Sequence, residues 1–144
     1  MHTIAIGCDP NAAEAKQGLI AFLEKKGYSV TDFGSDDPIY ANVAVEVAKA
    51  VAAGQYDRGV LICGTGIGVS LAANKVKGAY AALLADVYSA ERARKSNDCN
   101  IACFGAFTLG IMHMKRLTEE FLTSEFEPGC ASQPKVDRIR KYEC

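Results

Sequence analysis

An α/β fold is predicted for this chain: a three-layer, Rossmann-like domain with a five-stranded parallel sheet and a C-terminal helix. Three observations predict it. Short apolar runs alternate with helical periodicity from end to end. Turn residues mark the joints, among them Gly7 and Pro10, Gly27, Gly54 and Gly64. No internal repeat, linker or low-complexity stretch interrupts the pattern. Strict alternation of strand and helix gives parallel strands joined by right-handed crossovers.

The elements follow in order. Thr3 to Ile6 is the first strand, ending at Gly7-Cys8-Asp9-Pro10. Ala12 to Lys26 is helical, with Leu19, Ile20, Phe22 and Leu23 on one face and Gly27 as its stop. Tyr28 to Phe33 alternates as a second strand, and Asn42 to Ala53 is an Ala/Val-rich helix closed by Gly54. Gly59 to Ile62 is the third strand, followed by a glycine loop and a short helix from Val69 to Lys75. Ala79 to Ala85 is the fourth strand, Val87 to Lys95 a helix, and Asn100 to Phe104 the fifth strand. Leu109 to Thr123 is a long helix. A loop from Glu127 to Pro134 leads to a last helix near Val136 to Tyr142. In a flavodoxin-like order, 2-1-3-4-5, strands one and three are neighbours, and Asp9 and Cys63 face one crevice at their carboxyl ends.

Composition narrows the function. The 144 residues fit one domain, residues 1–144, with an adequate core. A net charge of −1 gives no electrostatic case for nucleic acid or an anionic membrane. No apolar run is long enough to span a bilayer. Met1 to Ile6 lacks the basic flank and length of a signal peptide and reads as strand. Of the six cysteines none forms a CxxC pair, and with two histidines a zinc site is not expected. Free thiols in a reducing cytoplasm are expected instead.

The chemistry centres on Ile62-Cys63-Gly64-Thr65-Gly66-Ile67-Gly68. The glycines let the backbone curl so that several N–H groups point at one anion. The same dipoles stabilise a thiolate. A basic sulfur beside an oxyanion cradle suits proton abstraction next to a carbonyl. The competing reading is a buried packing Cys before a tight turn. Asp9 either caps the helix that follows or accepts a hydrogen bond from a sugar hydroxyl. Thr65 either satisfies its own loop or donates to a substrate oxygen. Asn97 and Asp98 read first as cap and turn residues, Arg92, Arg94 and Lys95 as a solvated helix face, and His113 as a half-buried helix residue. A dinucleotide reading rests on Gly64-x-Gly66-x-Gly68 with Asp86 ending the next strand. It is weak, because Val69 takes the place of the third glycine of GxGxxG.

These motifs resemble the family of ribose-5-phosphate isomerase B and the galactose-6-phosphate isomerase subunits. The matching stretches are Gly7-Cys8-Asp9, Tyr40, Asp57-Arg58-Gly59, Ile62 to Gly68, Ala72-Ala73-Asn74-Lys75, Tyr88-Ser89-Ala90, Asn97-Asp98-x-Asn100, Gly105 and Gly110. The resemblance implies aldose–ketose isomerisation through an enediolate, with no metal and no cofactor. It implies that Cys63 is the base and that the amides of Gly64, Thr65, Gly66, Ile67 and Gly68 hold the enediolate oxygens. Thr65 and Asp9 would orient hydroxyls, and Asn97 and Tyr40 would touch substrate. It also implies a homodimer with its sites at the interface, with a dimer of dimers left open.

The departures bear on the substrate. Ser96 stands where the family has its ring-opening histidine, and Pro10 where it has another histidine. Phe107, Ala131 and Lys135 stand where it has phosphate-binding arginines. Serine does not exchange protons at neutral pH as histidine does. A tetrulose phosphorylated on O4 has no free hydroxyl with which to close a furanose, so its isomerase needs no ring-opening group. Tyr40-Ala41-Asn42, Ser96-Asn97 and Ser124-Glu125-Phe126-Glu127-Pro128 resemble the branch acting on D-erythrulose 4-phosphate. The expectation is therefore a sugar-phosphate isomerase, with a tetrulose 4-phosphate ahead of ribose or ribulose 5-phosphate. Lys135, Arg138 or backbone amides would replace the missing arginines, and Ser96 would line the substrate. Two alternatives stand beside it: an isomerase of an unphosphorylated sugar, and a non-catalytic sugar-binding subunit of a heteromeric isomerase.

Overall fold

The computed structural model describes residues 2–144. Its sheet holds β1 (Thr3–Cys8), β2 (Ser29–Asp32), β3 (Arg58–Cys63), β4 (Ala81–Leu83) and β5 (Ile101–Gly105), all parallel. The helices are α1 (Ala13–Lys25), α2 (Tyr40–Ala52), α3 (Ile67–Ala73), α4 (Val87–Lys95), α5 (Ile111–Thr123) and α6 (Gln133–Arg140). A 3₁₀ turn at Pro10–Ala12, which the sequence pattern does not mark, precedes α1.

The strand order is β2-β1-β3-β5-β4, which corrects the flavodoxin-like order at its end. The cause is composition. Every residue of β5 is buried, so it takes the inner place beside β3. The three-residue β4, with Leu83 44% exposed, takes the edge. A short edge strand offers little ladder to other chains.

The direction of each crossover sorts the helices. Right-handed steps to the left, β1 to β2 and β4 to β5, put α1 and α4 on one face. Steps to the right put α2 and α3 on the other. The cores agree. Leu19, Leu23, Ala93, Leu117 and Phe121 cover Ile4, Ile6, Val60, Ile62 and Phe104 on the α1–α4–α5 side. Ala44, Val47, Val51, Val69 and Ala73 cover Ala5, Leu61, Ile101 and Cys103 on the α2–α3 side. Period-two alternation along β3 turns Cys63 toward the α2–α3 side.

Two charged side chains depart from the expected solvated surface. Arg94 is 3% exposed, not part of a solvated face. It pairs with Asp98 at 3.0 Å and donates to the carbonyls of Cys99 and Ser124. Lys16 is 1% exposed and pairs with Asp32 at 2.7 Å. Burial raises the Asp32 carboxyl, but hydrogen bonds from Lys16 and the Gly34 N–H outweigh it and hold the group below the usual carboxylate range. His113 is exposed rather than half-buried. All six cysteines are free. Among the described residues no helix is long and apolar enough to cross a membrane.

Candidate active site at the glycine loop

β1 and β3 are neighbours, and Cys8 lies opposite Ile62. The next pair along is Asp9 and Cys63. The Asp9 N–H donates to the Ile62 carbonyl at 3.2 Å, which fixes that register past the strand end. Asp9 is still extended, with φ −81° and ψ 170°. Alternation therefore directs its side chain to the same side of the sheet as Cys63.

Asp9 does not cap a helix. It is the N-cap residue of the 3₁₀ turn but makes no side-chain cap bond. It is 7% exposed, and its Oδ1 is buried with no hydrogen-bond partner among the described residues. Only the Asn11 amide reaches its other oxygen, at 3.5 Å. A buried carboxylate oxygen without a donor is costly, and a hydroxyl donor brought to it would remove that cost.

Cys63 is 4% exposed, and the Gly66 N–H donates to its Sγ at 3.1 Å. No other cysteine sulfur accepts a hydrogen bond among the described residues. Burial pushes the Cys8 thiol up to about 12 and the Cys99 thiol up to about 11, and raises that of Cys103. Those three are packing thiols in apolar surroundings. Cys63 differs in having an amide aimed at its sulfur.

The loop owes its shape to Gly66. Its φ is +79°, and a Cβ there would lie 2.8 Å from the Phe104 carbonyl carbon. Only glycine fits both demands. α3 begins at Ile67, two residues before the expected start, so Ile67 and Gly68 open a helix. The Ile67 N–H donates to Thr65 Oγ1 at 3.2 Å. Thr65 thus satisfies its own loop while its exposed hydroxyl keeps a proton to give. Two aromatic rings bracket the loop. The Tyr40 ring, at the start of α2, packs on Gly68. Phe107 packs on Gly64, where an added Cβ would meet its ring at 2.9 Å.

Other matching residues hold the fold. Asn74 ties the end of α3 to β4 through both backbone groups of Ala81, at 2.9 and 2.8 Å. Asn100 accepts from the Tyr80 N–H and donates to the Gly78 carbonyl. Asp98, with φ 51°, joins Arg94 to Arg140. Asp86 caps α4 through Ser89, which removes it as the ribose acceptor of the dinucleotide reading.

Ser96, Asn97 and Lys135 do not join Cys63 within one chain. Cys63 pairs with Gly105 at the end of β5, whereas Asn97 lies just before Ile101 at its start. Four steps of a strand separate those levels by about 13 Å. Ser96 Oγ accepts from Arg92 Nε at 2.8 Å. Asn97 lies in the turn that closes α4, its backbone N–H donating to the Arg92 carbonyl at 3.2 Å, while its side-chain amide has no hydrogen-bond partner among the described residues. Lys135 is exposed on α6, a helix tied to this same end through Arg140, Asp98 and Tyr80. Among the described residues no group of three or more metal-capable side chains comes together.

Comparison with known proteins identifies the family. The sequence profile described as Ribose/Galactose Isomerase matches residues 4–139. The chain is 44% identical to D-erythrulose-4-phosphate isomerase of Pectobacterium atrosepticum, over 99% of this chain and 96% of that protein. It is 47% identical to ribose-5-P isomerase B of Listeria innocua, over 97% of this chain and 96% of that protein. Its fold superposes on type B ribose 5-phosphate isomerase of Trypanosoma brucei with a TM-score of 0.93, at 32% identity, covering 99% of both chains. The chain belongs to the ribose/galactose isomerase family and is an aldose–ketose isomerase.

Proposed function

We propose that this sugar-phosphate isomerase interconverts a tetrulose 4-phosphate and its aldose through an enediolate, with Cys63 as the base. The observation that carries the mechanism is Cys63 Sγ beside the Gly66 N–H, level with the unpartnered Asp9 carboxylate. The Cys63 thiolate removes the proton from the carbon next to the carbonyl. The electron pair moves onto the carbonyl oxygen, and amides of the loop hold the enediolate. Two loop amides are already engaged, Gly66 with sulfur and Ile67 with Thr65, so Gly64, Thr65 and Gly68 supply the donors. Asp9 accepts from a substrate hydroxyl. A proton passes from the hydroxyl oxygen to the former carbonyl oxygen, and the thiol returns the carbon-bound proton to the neighbouring carbon, which completes the exchange of aldose and ketose.

Four carbons are favoured because Ser96 is committed to Arg92 and carries no group that titrates near neutrality. The erythrulose-phosphate relative supports the same reading. A two-fold assembly supports the distant residues. Ile67, Leu71, Leu83, Val87 and Tyr88 leave apolar surface exposed along the β4 edge. That edge carries the loop at one end and a cavity lined by Arg92, Asn97 and Ile139 toward the other. A two-fold axis across this edge sets the loop of one copy against the Asn97 end of its partner. The homodimer then supplies Asn97, Ser96 and Lys135 in trans. Lys135 takes the phosphate.

The test is turnover of a tetrulose 4-phosphate, ribose 5-phosphate and the corresponding free sugars. The reading requires the tetrulose 4-phosphate to give the highest kcat/KM. Preference for a free sugar, or binding with no turnover of any, overturns it.

A further inference from the structure

We infer that Asp98 is a positioning residue, which fixes the backbone of Asn97 so that its amide meets the substrate already in place. The inference rests on the reading above that Asn97 touches the substrate. Asp98 carries a strained backbone. Its φ is 51°, and among the described residues no other non-glycine residue has a positive φ. Helices commonly end on a left-handed residue, and glycine is the usual choice because it has no Cβ to clash. A glycine would close this turn with less strain. The aspartate therefore brings something that the turn itself does not need.

What it brings is a carboxylate shared by two helices. Arg94 of α4 donates to Oδ1 at 3.0 Å, and Arg140 of α6 donates to Oδ2 at 2.8 Å. Arg94 has other acceptors in the Cys99 and Ser124 carbonyls, so its burial does not depend on Asp98. Arg140 in turn lies over the Tyr80 ring, 4.6 Å from its centre. The bridge thus ties the end of α4 to α6 and Tyr80, at the residue next to Asn97. The backbone on either side is fixed as well. The Asp98 N–H donates to the Arg94 carbonyl at 3.1 Å and the Cys99 N–H to the Ala93 carbonyl at 2.8 Å. Beyond them, the Asn100 side chain spans the Tyr80 N–H and the Gly78 carbonyl. The Asn97 amide by contrast is exposed and lines a cavity with Leu83, Ser89 and Arg92. A rigid backbone beneath a free polar group suits binding, because the cost of ordering is met before the ligand arrives. A shift of about 1 Å in a contact group can cost up to about a hundredfold in rate.

The experiment is a double-mutant cycle. It measures kcat/KM for the wild type, Asp98→Gly, Asn97→Ala and the double variant, after thermal melts show that each is folded at the assay temperature. The substrate is a tetrulose 4-phosphate or ribose 5-phosphate, whichever the wild type turns over faster, so the result does not depend on chain length. Asp98→Gly keeps the left-handed turn and loses the bridge. It lowers kcat/KM by about tenfold when Asn97 is present, and by less than about twofold once Asn97 is alanine and nothing remains to be positioned. A residue that only holds the fold lowers both backgrounds by the same factor. That result overturns the inference while the isomerase reading stands, and so does an Asp98→Gly variant as active as the wild type. Full activity in Asn97→Ala removes the substrate contact proposed above and the inference with it, as does a wild type that turns over neither phosphate. If Asp98→Gly melts below the assay temperature, Asp98→Asn takes its place under the same criteria, since asparagine also accepts the left-handed conformation. Failure of both to fold makes Asp98 structural and overturns the inference as well.

Discussion

At the scale of single residues, Asp9 separates a fold made for packing from one made for a ligand. Its Oδ1 is buried and has no hydrogen-bond partner among the described residues, a cost that the proposed substrate hydroxyl would remove. Asp9→Asn keeps the shape and removes the charge. It should leave the melting temperature equal to or above the wild type. It should also lower kcat/KM by about tenfold to a hundredfold, the value of a hydrogen bond to a charged acceptor. Calorimetry beside steady-state kinetics checks both halves. A lower melting temperature with unchanged kinetics would make Asp9 structural. Asp9 and Cys63 were legible in the sequence because each ends an apolar run beside a glycine. Lys16 and Arg94 were not. Their burial depends on partners supplied by other elements, Asp32 for Lys16 and Ser124 for Arg94. Ordinary charge patterning places both on a wet helix face.

At the scale of elements, the proposed chemistry falls on the loop between β3 and α3, and Gly66 sets its path. Gly66→Ala meets a positive φ and a backbone carbonyl at once. It should lower stability by about 1–2 kcal/mol from the conformation alone. It should also cut activity, because the Gly66 N–H leaves Cys63 Sγ. Gly129 makes the control: its φ is +83° with nothing within 4 Å of an added Cβ. Gly129→Ala costs the same conformational strain and keeps its activity, and equal losses in both variants would deny the loop a special role. The element order was readable from periodicity. The swap of β4 and β5 was not. Strand order is set by competition for the sheet interior, and neither run signals its rank until burial is compared. The early start of α3 was hidden too, since Ile67-Gly68 reads as loop by glycine content.

At the scale of the whole molecule, the proposed reaction assigns one chain two half-sites, at opposite ends of its sheet. Cys63, Asp9 and the loop lie where strands end, and Asn97 and Lys135 lie near where they begin. The near-neutral charge and the apolar β4 edge suit self-association rather than an ionic partner. Sequence motifs could name both halves but could not show that a single chain keeps them apart. That separation appears only once the register of β3 and β5 is known. The central claim is that Cys63 of one copy acts on a substrate held by Asn97 of another. Complementation tests it most directly. Cys63→Ala alone should lose about a hundredfold or more of kcat, the usual share of a positioned base. Asn97→Ala alone should also be impaired. Unfolded and refolded together in equal amounts, the two should recover about a quarter of wild-type activity, because half of the dimers are mixed and each mixed dimer has one intact site. A mixture no more active than the sum of its parts, or a Cys63→Ala variant as fast as the wild type, would contradict the account.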